Sequence, residues 1–168
     1  MSEHVNTLLD RMAGALQRLP ALQGGEPALV GIHSGGVWVA ERLQRRLGLD
    51  TPLGQLDISF YRDDFSRIGV HPEVKPSHIP FGVEDRPIIL VDDVLFTGRT
   101  VRAAMNEIFD YGRPASITLA VLVERDGREL PIQAQVVGEH LDLEPEQQVK
   151  LRGPDPLRLE IVRLERTR

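Results

Sequence analysis

The stretch Ile88-Ile89-Leu90-Val91-Asp92-Asp93-Val94-Leu95-Phe96-Thr97-Gly98-Arg99-Thr100 decides how this chain is read. Four consecutive branched apolar residues, 88–91, predict a strand covered on both faces. Val101, Ala104, Met105, Ile108 and Phe109 then recur at helical spacing. The residues between form a turn leading from strand to helix. At such a junction the unpaired N–H groups of the helix start and the helix dipole favour an anion, so a phosphate monoester suits it. Thr97 and Thr100 add hydroxyl donors, and Gly98 lets the backbone approach closely. Two adjacent carboxylates, Asp92 and Asp93, repel each other and lose hydration at the strand end unless a ligand uses them. The vicinal hydroxyls of a ribose would do so, and a sugar phosphate satisfies both halves of the motif.

Upstream, Asn6 reads as the cap of a helix carrying Leu8, Leu9, Met12, Leu16 and Leu19, closed by Pro20. Residues 28–32 read as a buried strand, His33-Ser34-Gly35-Gly36 as a loop, and 37–47 as a helix stopped by Gly48. Trp38 on that helix belongs to the core or to a subunit interface. Residues 53–60 alternate like a strand, and 61–80 have no period, which fits a long loop acting as a lid over a ligand site. Downstream of the decisive stretch, the helix ends at Gly112, and 116–123 form another buried strand. Beyond Val123 the pattern changes to short strands at 132–137, 149–151 and 157–164, expected to form a small subregion beside the sheet. Alternating strands and helices imply an α/β fold, a mostly parallel sheet with flanking helices, whose ligand crevice lies at the carboxyl ends of the strands.

The 168 residues suit a single domain, 1–168, and no repeat or linker divides them. The absence of cysteine excludes disulfides and thiolate metal sites and leaves Mg²⁺ on oxygen ligands open. His71, His78 and His140 read as surface residues, and no histidine has zinc-site spacing. The first twenty residues hold Glu3, Asp10, Arg11 and Arg18 without an apolar core, and no apolar run could span a bilayer, so a soluble cytoplasmic protein is expected. The net charge of −5 argues against broad attraction to nucleic acid. Arg42, Arg45 and Arg46, and Arg158, Arg163, Arg166 and Arg168, read as solvated clusters. Neither a Gly-x-x-x-x-Gly-Lys loop nor the dinucleotide glycine spacing occurs.

The two acids followed by Thr97-Gly98-Arg99-Thr100 resemble the phosphoribosyl diphosphate signature of the type I phosphoribosyltransferases. Residues 55–64 (Gln-Leu-Asp-Ile-Ser-Phe-Tyr-Arg-Asp-Asp), 111–116 (Tyr-Gly-Arg-Pro-Ala-Ser) and 128–132 (Arg-Glu-Leu-Pro-Ile) resemble one family within that group. Its members are pyrimidine operon regulators that double as uracil phosphoribosyltransferases. The resemblance covers roughly residues 28–140.

It implies the type I fold with a small hood, and transfer of ribose 5-phosphate from phosphoribosyl diphosphate to uracil, giving UMP and diphosphate with Mg²⁺ carried on the substrate. Asp92 and Asp93 would hold the ribose hydroxyls, Thr97, Gly98, Arg99 and Thr100 would hold the 5-phosphate, and Val94, Leu95 and Phe96 would bind substrate beside them. Ser34, Gly35 and Gly36 would donate N–H groups to the diphosphate. Arg62 and the residues after it would close over the site. Glu124 to Arg128, with Glu124 and Arg125 touching substrate, would rim a hood that reads the uracil edge. UMP-dependent binding to the pyr operon leader mRNA, and a homodimer or higher oligomer, are implied as well.

The family's diphosphate loop usually reads Thr-Arg-Gly, and Ser34-Gly35-Gly36 lacks that arginine. Losing one charge-assisted contact in a desolvated site costs roughly 2–4 kcal/mol of transition-state stabilisation, so weak transfer is expected. A salvage enzyme for another base, or a noncatalytic UMP-sensing RNA regulator, are the alternatives.

Overall fold

The computed structural model describes residues 2–58 and 77–165. The end of the expected second strand at 59–60, and the long loop as far as residue 76 with Arg62 and His71, lie outside the described residues. The elements are α1 (Ser2–Gln17), a 3₁₀ turn (Pro20–Leu22), β1 (Ala28–Ile32), α2 (Gly35–Leu47), β2 (Gly54–Leu56), β3 (Pro87–Leu95), α3 (Arg99–Tyr111), β4 (Ser116–Arg125), β5 (Val136–Leu141), β6 (Gln147–Arg152) and β7 (Arg158–Arg163).

Five parallel strands form one sheet in the order β2-β1-β3-β4-β5. The strand parity of β3 sorts the core into two layers. Ile89 and Val91 pack with Leu9, Met12 and Leu16 of α1 and Val39 and Leu43 of α2. Ile88 and Leu90 pack on the opposite face with Val101, Ala104 and Ile108 of α3. A strand apolar at both parities is thus covered on both sides, as residues 88–91 require. Because β1 pairs with β2 on one side and β3 on the other, the chain reverses its order of addition there. The crevice between the carboxyl ends of β1 and β3 is the switch point where open α/β sheets bind ligands.

Four expectations are corrected. α1 begins at Ser2, not at Asn6; the Asn6 side chain instead accepts a hydrogen bond from Arg46 of α2 at 3.3 Å. β3 runs through both acids to Leu95, because Asp92, Val94 and Leu95 continue the ladder against Val121, Val123 and Glu124 of β4. The strand expected at 132–137 is β5, displaced to Val136–Leu141, and it extends the main sheet in parallel; only β6 and β7 form the separate antiparallel hairpin. Phe109, read as part of the buried face of α3, is 53% exposed.

Arginines read as solvated surface tie elements together. Arg46 pairs with Asp10 of α1 at 2.8 Å, and Arg42 donates to the Pro154 carbonyl in the β6–β7 turn at 2.6 Å. Trp38 meets that turn as well, since a Cβ at Gly153 would lie 2.8 Å from its ring. Within the hairpin, Arg152 donates to Glu160 at 2.6 Å and holds its carboxyl below the usual carboxylate range. No described helix is long and apolar enough to cross a membrane.

Candidate active site

The loop after β1 and the acids of β3 lie against each other. A Cβ on Gly36 would sit 2.6 Å from the Val91 carbonyl and 3.1 Å from the Asp92 Cα, and one on Gly35 would run into the Asp93 carboxylate. Only residues without side chains allow this approach. The His33–Ser34 peptide, which enters the loop, is cis. His33 is tied to β2 twice, through its N–H to the Leu56 carbonyl at 2.9 Å and through Nε2 to the Gln55 Oε1 at 2.8 Å. Ser34, at the N-cap position of α2, makes no side-chain capping bond, and the buried Gly35 and Gly36 open the helix.

The two carboxylates occupy different environments. Asp92 is 2% exposed and accepts the Asp93 N–H at 2.8 Å; Asp93 is half-buried and accepts the Val94 N–H at 2.8 Å. Each local bond satisfies one lone pair, so the outer carboxylate keeps acceptor capacity toward the crevice. Asp93 is therefore the more accessible of the two acids, and Asp92 lies buried beneath it.

Residues 96–98 lead from β3 into α3. Gly98 takes φ +94, a conformation that L side chains rarely adopt, and a Cβ there would also press on Ile132 at 3.0 Å. Thr97 is buried, and its Oγ1 accepts the Arg99 N–H at 3.1 Å. Thr100 is half-buried in the first turn of α3 and Arg99 is exposed there. The turn at a helix N-terminus is therefore present as read. Val94 is half-buried, whereas Leu95 packs into the α3 side of the core and offers the crevice only backbone.

The loop after β4 is bound to this turn. The Thr97 carbonyl accepts the N–H groups of Glu129 at 2.9 Å and Leu130 at 3.2 Å, and Arg99 pairs with Glu129 at 2.8 Å. The Arg128 guanidinium donates to the carbonyls of Phe96 and Ile132 and to the Glu124 carboxylate, the last at 2.8 Å. Sequence reasoning missed this clamp. The Arg-Glu-Leu-Pro-Ile block marked kinship, and nothing in its residue types says that Arg128 reaches back to the end of the neighbouring strand β3.

Glu124 stands at the carboxyl end of β4, held by Arg128 and 3.6 Å from His140. Arg125 lies beneath the rim rather than on it, at 7% exposure, donating to the Gln147 carbonyl at 2.8 Å. Burial lowers its pKa from the ordinary value. His140, exposed as expected, gathers with Asp126 and Asp142, their donor atoms within 4.8 Å of one another. The structure thus brings residues 33–36, Asp92, Asp93 and residues 96–100 together, with Glu124 and Arg125 beside them. Arg62 lies outside the described residues.

The comparisons agree with this fold. Residues 3–148 match the phosphoribosyl transferase domain model. The bifunctional protein PyrR of Nitrosococcus oceani is 62% identical over 99% of this chain and 96% of its own length. That of Pseudomonas paraeruginosa is 57% identical over 91% of each. Among solved structures, a Trypanosoma cruzi hypoxanthine phosphoribosyl transferase superposes with a TM-score of 0.70 at 19% identity, covering 98% of this chain and 88% of that one. A Staphylococcus aureus hypoxanthine phosphoribosyltransferase gives 0.69 at 19% identity, covering 99% and 90%. These structural likenesses carry the fold; the close relatives carry the kinship. The chain belongs to the phosphoribosyl transferase domain family and, within it, to the bifunctional PyrR proteins.

Proposed function

We infer that the chain transfers ribose 5-phosphate from phosphoribosyl diphosphate to uracil, giving UMP and diphosphate, and that it regulates the pyr operon by sensing pyrimidine nucleotide. The observation that carries this reading is the approach of the Gly35-Gly36 backbone onto Asp92 and Asp93, beside the Thr97-Gly98 turn. One crevice then has acceptors for the ribose hydroxyls, donors for the 5-phosphate and donors for the diphosphate.

In this reading Asp93 accepts from the ribose hydroxyls and its negative charge favours the oxocarbenium character that builds as the anomeric bond breaks. The α3 N-terminus, with Thr97, Gly98, Arg99 and Thr100, holds the 5-phosphate. Backbone N–H groups of residues 34–36 face the departing diphosphate. Arg62 is assigned to the leaving-group side from the resemblance alone. The half-buried carboxylate of Asp93 and the absence of cysteine fit Mg²⁺ carried on the substrate's phosphates, which Asp93 would hold from the protein side. When bound, the ion would neutralise charge on the leaving diphosphate.

Gly35 supplies no cation to the leaving group, which favours slow transfer. UMP occupancy then serves as the signal for binding the leader mRNA. With a net charge of −5, that contact rests on a local surface and falls with added salt in proportion to the phosphates met.

The test is diphosphate release from phosphoribosyl diphosphate and Mg²⁺ at high protein concentration, with uracil against orotate, hypoxanthine and xanthine. Release that needs uracil is expected. Release with another base instead reassigns the enzyme. No release, with UMP still bound, reduces the protein to a nucleotide sensor.

A further inference from the structure

Of residues 33–36, Gly35 and Gly36 have no side chain, and Ser34 makes no capping bond with its own. Glycine loses more conformational freedom on being fixed than any other residue, so a loop of this kind takes its shape from its neighbours. On one side the neighbours are β1 and β3. A Cβ on Gly31 would lie 2.9 Å from the Gly36 carbonyl oxygen, so the loop folds back over the end of β1, and Gly35 and Gly36 lie against Asp93 and Asp92.

On the other side the loop is joined to β2 through His33, which stands one residue past the end of β1. Its backbone N–H donates to the Leu56 carbonyl at 2.9 Å, and its ring Nε2 meets the Gln55 Oε1 at 2.8 Å. A carboxamide oxygen only accepts, so this bond places a proton on Nε2 and orients the ring. Gln55 is a fixed base for the contact. It exchanges both backbone hydrogen bonds with His78, each at 2.8 Å, and stands in register with Gly31 of β1. With the backbone held from two sides, only the Gln55 side-chain torsions are left to order, and the bond to His33 orders them. Both side chains are half-buried where the loop leaves the sheet.

Resting on the function inferred above, we propose that Gln55 is a positioning residue for the leaving diphosphate. Gln55 holds the His33 ring, the ring holds the peptide that opens the loop, and the N–H groups of residues 34–36 are aimed before the diphosphate arrives. Donors preorganised in this way need no rearrangement as charge develops on the leaving group. Ser34, Gly35 and Gly36 offer direction without a cation, so their alignment carries more of the binding than it would beside an arginine.

The test is calorimetric titration of diphosphate with Mg²⁺, and separately of UMP, into the parent protein, Gln55→Met, His33→Phe and the double variant. Gln55→Met keeps the length of the side chain and removes the acceptor; His33→Phe keeps a ring and removes the donor. Each is expected to weaken diphosphate about three- to tenfold and to leave UMP unchanged. The double variant should bind diphosphate as His33→Phe alone does, because the two changes break one bond. The imidazole nitrogen resonances should show the neutral His33 ring protonated on Nε2 in the parent and without that preference in Gln55→Met. His33→Phe breaks the bond from its other end, so the comparison with UMP holds even if Gln55→Met does not fold.

Unchanged diphosphate affinity in either single variant, or losses that add in the double, would overturn the proposal. A His33 ring that is not protonated on Nε2 in the parent would do the same. Parallel loss of UMP would make the pair a support for the whole crevice and overturn it too. All of these leave the functional reading standing, since the parent still binds both ligands. A parent protein that binds UMP but not diphosphate removes residues 34–36 from the leaving-group side and this proposal with them. A parent protein that binds neither defeats the functional reading as well.

Discussion

A Cβ placed on Gly35 would lie 2.8 Å from the Cγ of Asp93. Gly35 is therefore coupled to Asp93, and the arginine usual in the family cannot be inserted here without moving that acid. Gly35→Ala gains about 1 kcal/mol of helix propensity at the start of α2 and meets overpacking of about 1–3 kcal/mol, so a net loss of up to about 2 kcal/mol is expected. Gly36→Ala should cost more, because the atom it meets at 2.6 Å is the Val91 carbonyl, backbone inside a paired strand. Urea unfolding of the two variants checks the order. Gly35→Arg should raise diphosphate release no more than Gly35→Ala does, since the new cation arrives with Asp93 displaced.

Asp92 and Asp93 should separate on substitution. Asp93→Asn removes the charge from a half-buried acceptor and keeps its oxygen for the Val94 N–H. The fold should survive with a shift in stability under about 1 kcal/mol, and phosphoribosyl diphosphate affinity should fall at least several-fold. Asp92→Ala removes a 2% exposed side chain that accepts the Asp93 N–H, and should cost about 1–3 kcal/mol of stability. Calorimetric titration and urea unfolding on the same samples decide it. Unchanged ligand affinity in folded Asp93→Asn would remove Asp93 from the ribose site.

Nucleotide should stabilise the fold by mass action. At a hundred times its dissociation constant, UMP adds about 2.7 kcal/mol to the native state. For a domain of this size that raises Tm by roughly 5–10 °C. GMP at the same concentration separates a pyrimidine site from a general phosphate site. Equal shifts with both would mean that only the sugar phosphate is read.

The fold and the turn from β3 into α3 were legible because they depend on local pattern. Residues 88–91 are apolar at both parities, and a strand so patterned must be covered twice, which gives the three layers. The turn before α3 was legible because Thr97 and Gly98, common at helix caps, interrupt the apolar run just where helical spacing begins. β5 was misplaced because Ile132 packs on Gly98 as a loop residue. Its apolar character signals that contact as readily as a strand. The contact of the Arg125 guanidinium with the Phe96 ring at 4.3 Å and the Arg128 clamp were illegible for a different reason. Each joins residues at or just past the ends of neighbouring strands, and a single sequence carries no trace of which long side chain crosses to which neighbour.

Arg128 makes the loop after β4 and the turn from β3 into α3 one body. Its guanidinium binds two backbone carbonyls and the Glu124 carboxylate, while Glu129 and Leu130 donate to the Thr97 carbonyl. Arg128→Met keeps much of the apolar stem and removes every donor. It leaves the Phe96 and Ile132 carbonyls and a half-buried Glu124 to find water, at a cost of about 2–3 kcal/mol. The loss should be local. Amide hydrogen exchange should quicken at Glu129 and Leu130, whose bonds depend on the loop's seat, and stay slow at Leu90 and Leu122 in the sheet. Adding Glu124→Gln to Arg128→Met should cost little more, because the carboxylate has already lost its Arg128 partner and keeps only the longer approach to His140 at 3.6 Å. Exchange that quickens across the whole sheet would mean that Arg128 holds the fold together rather than the loop alone.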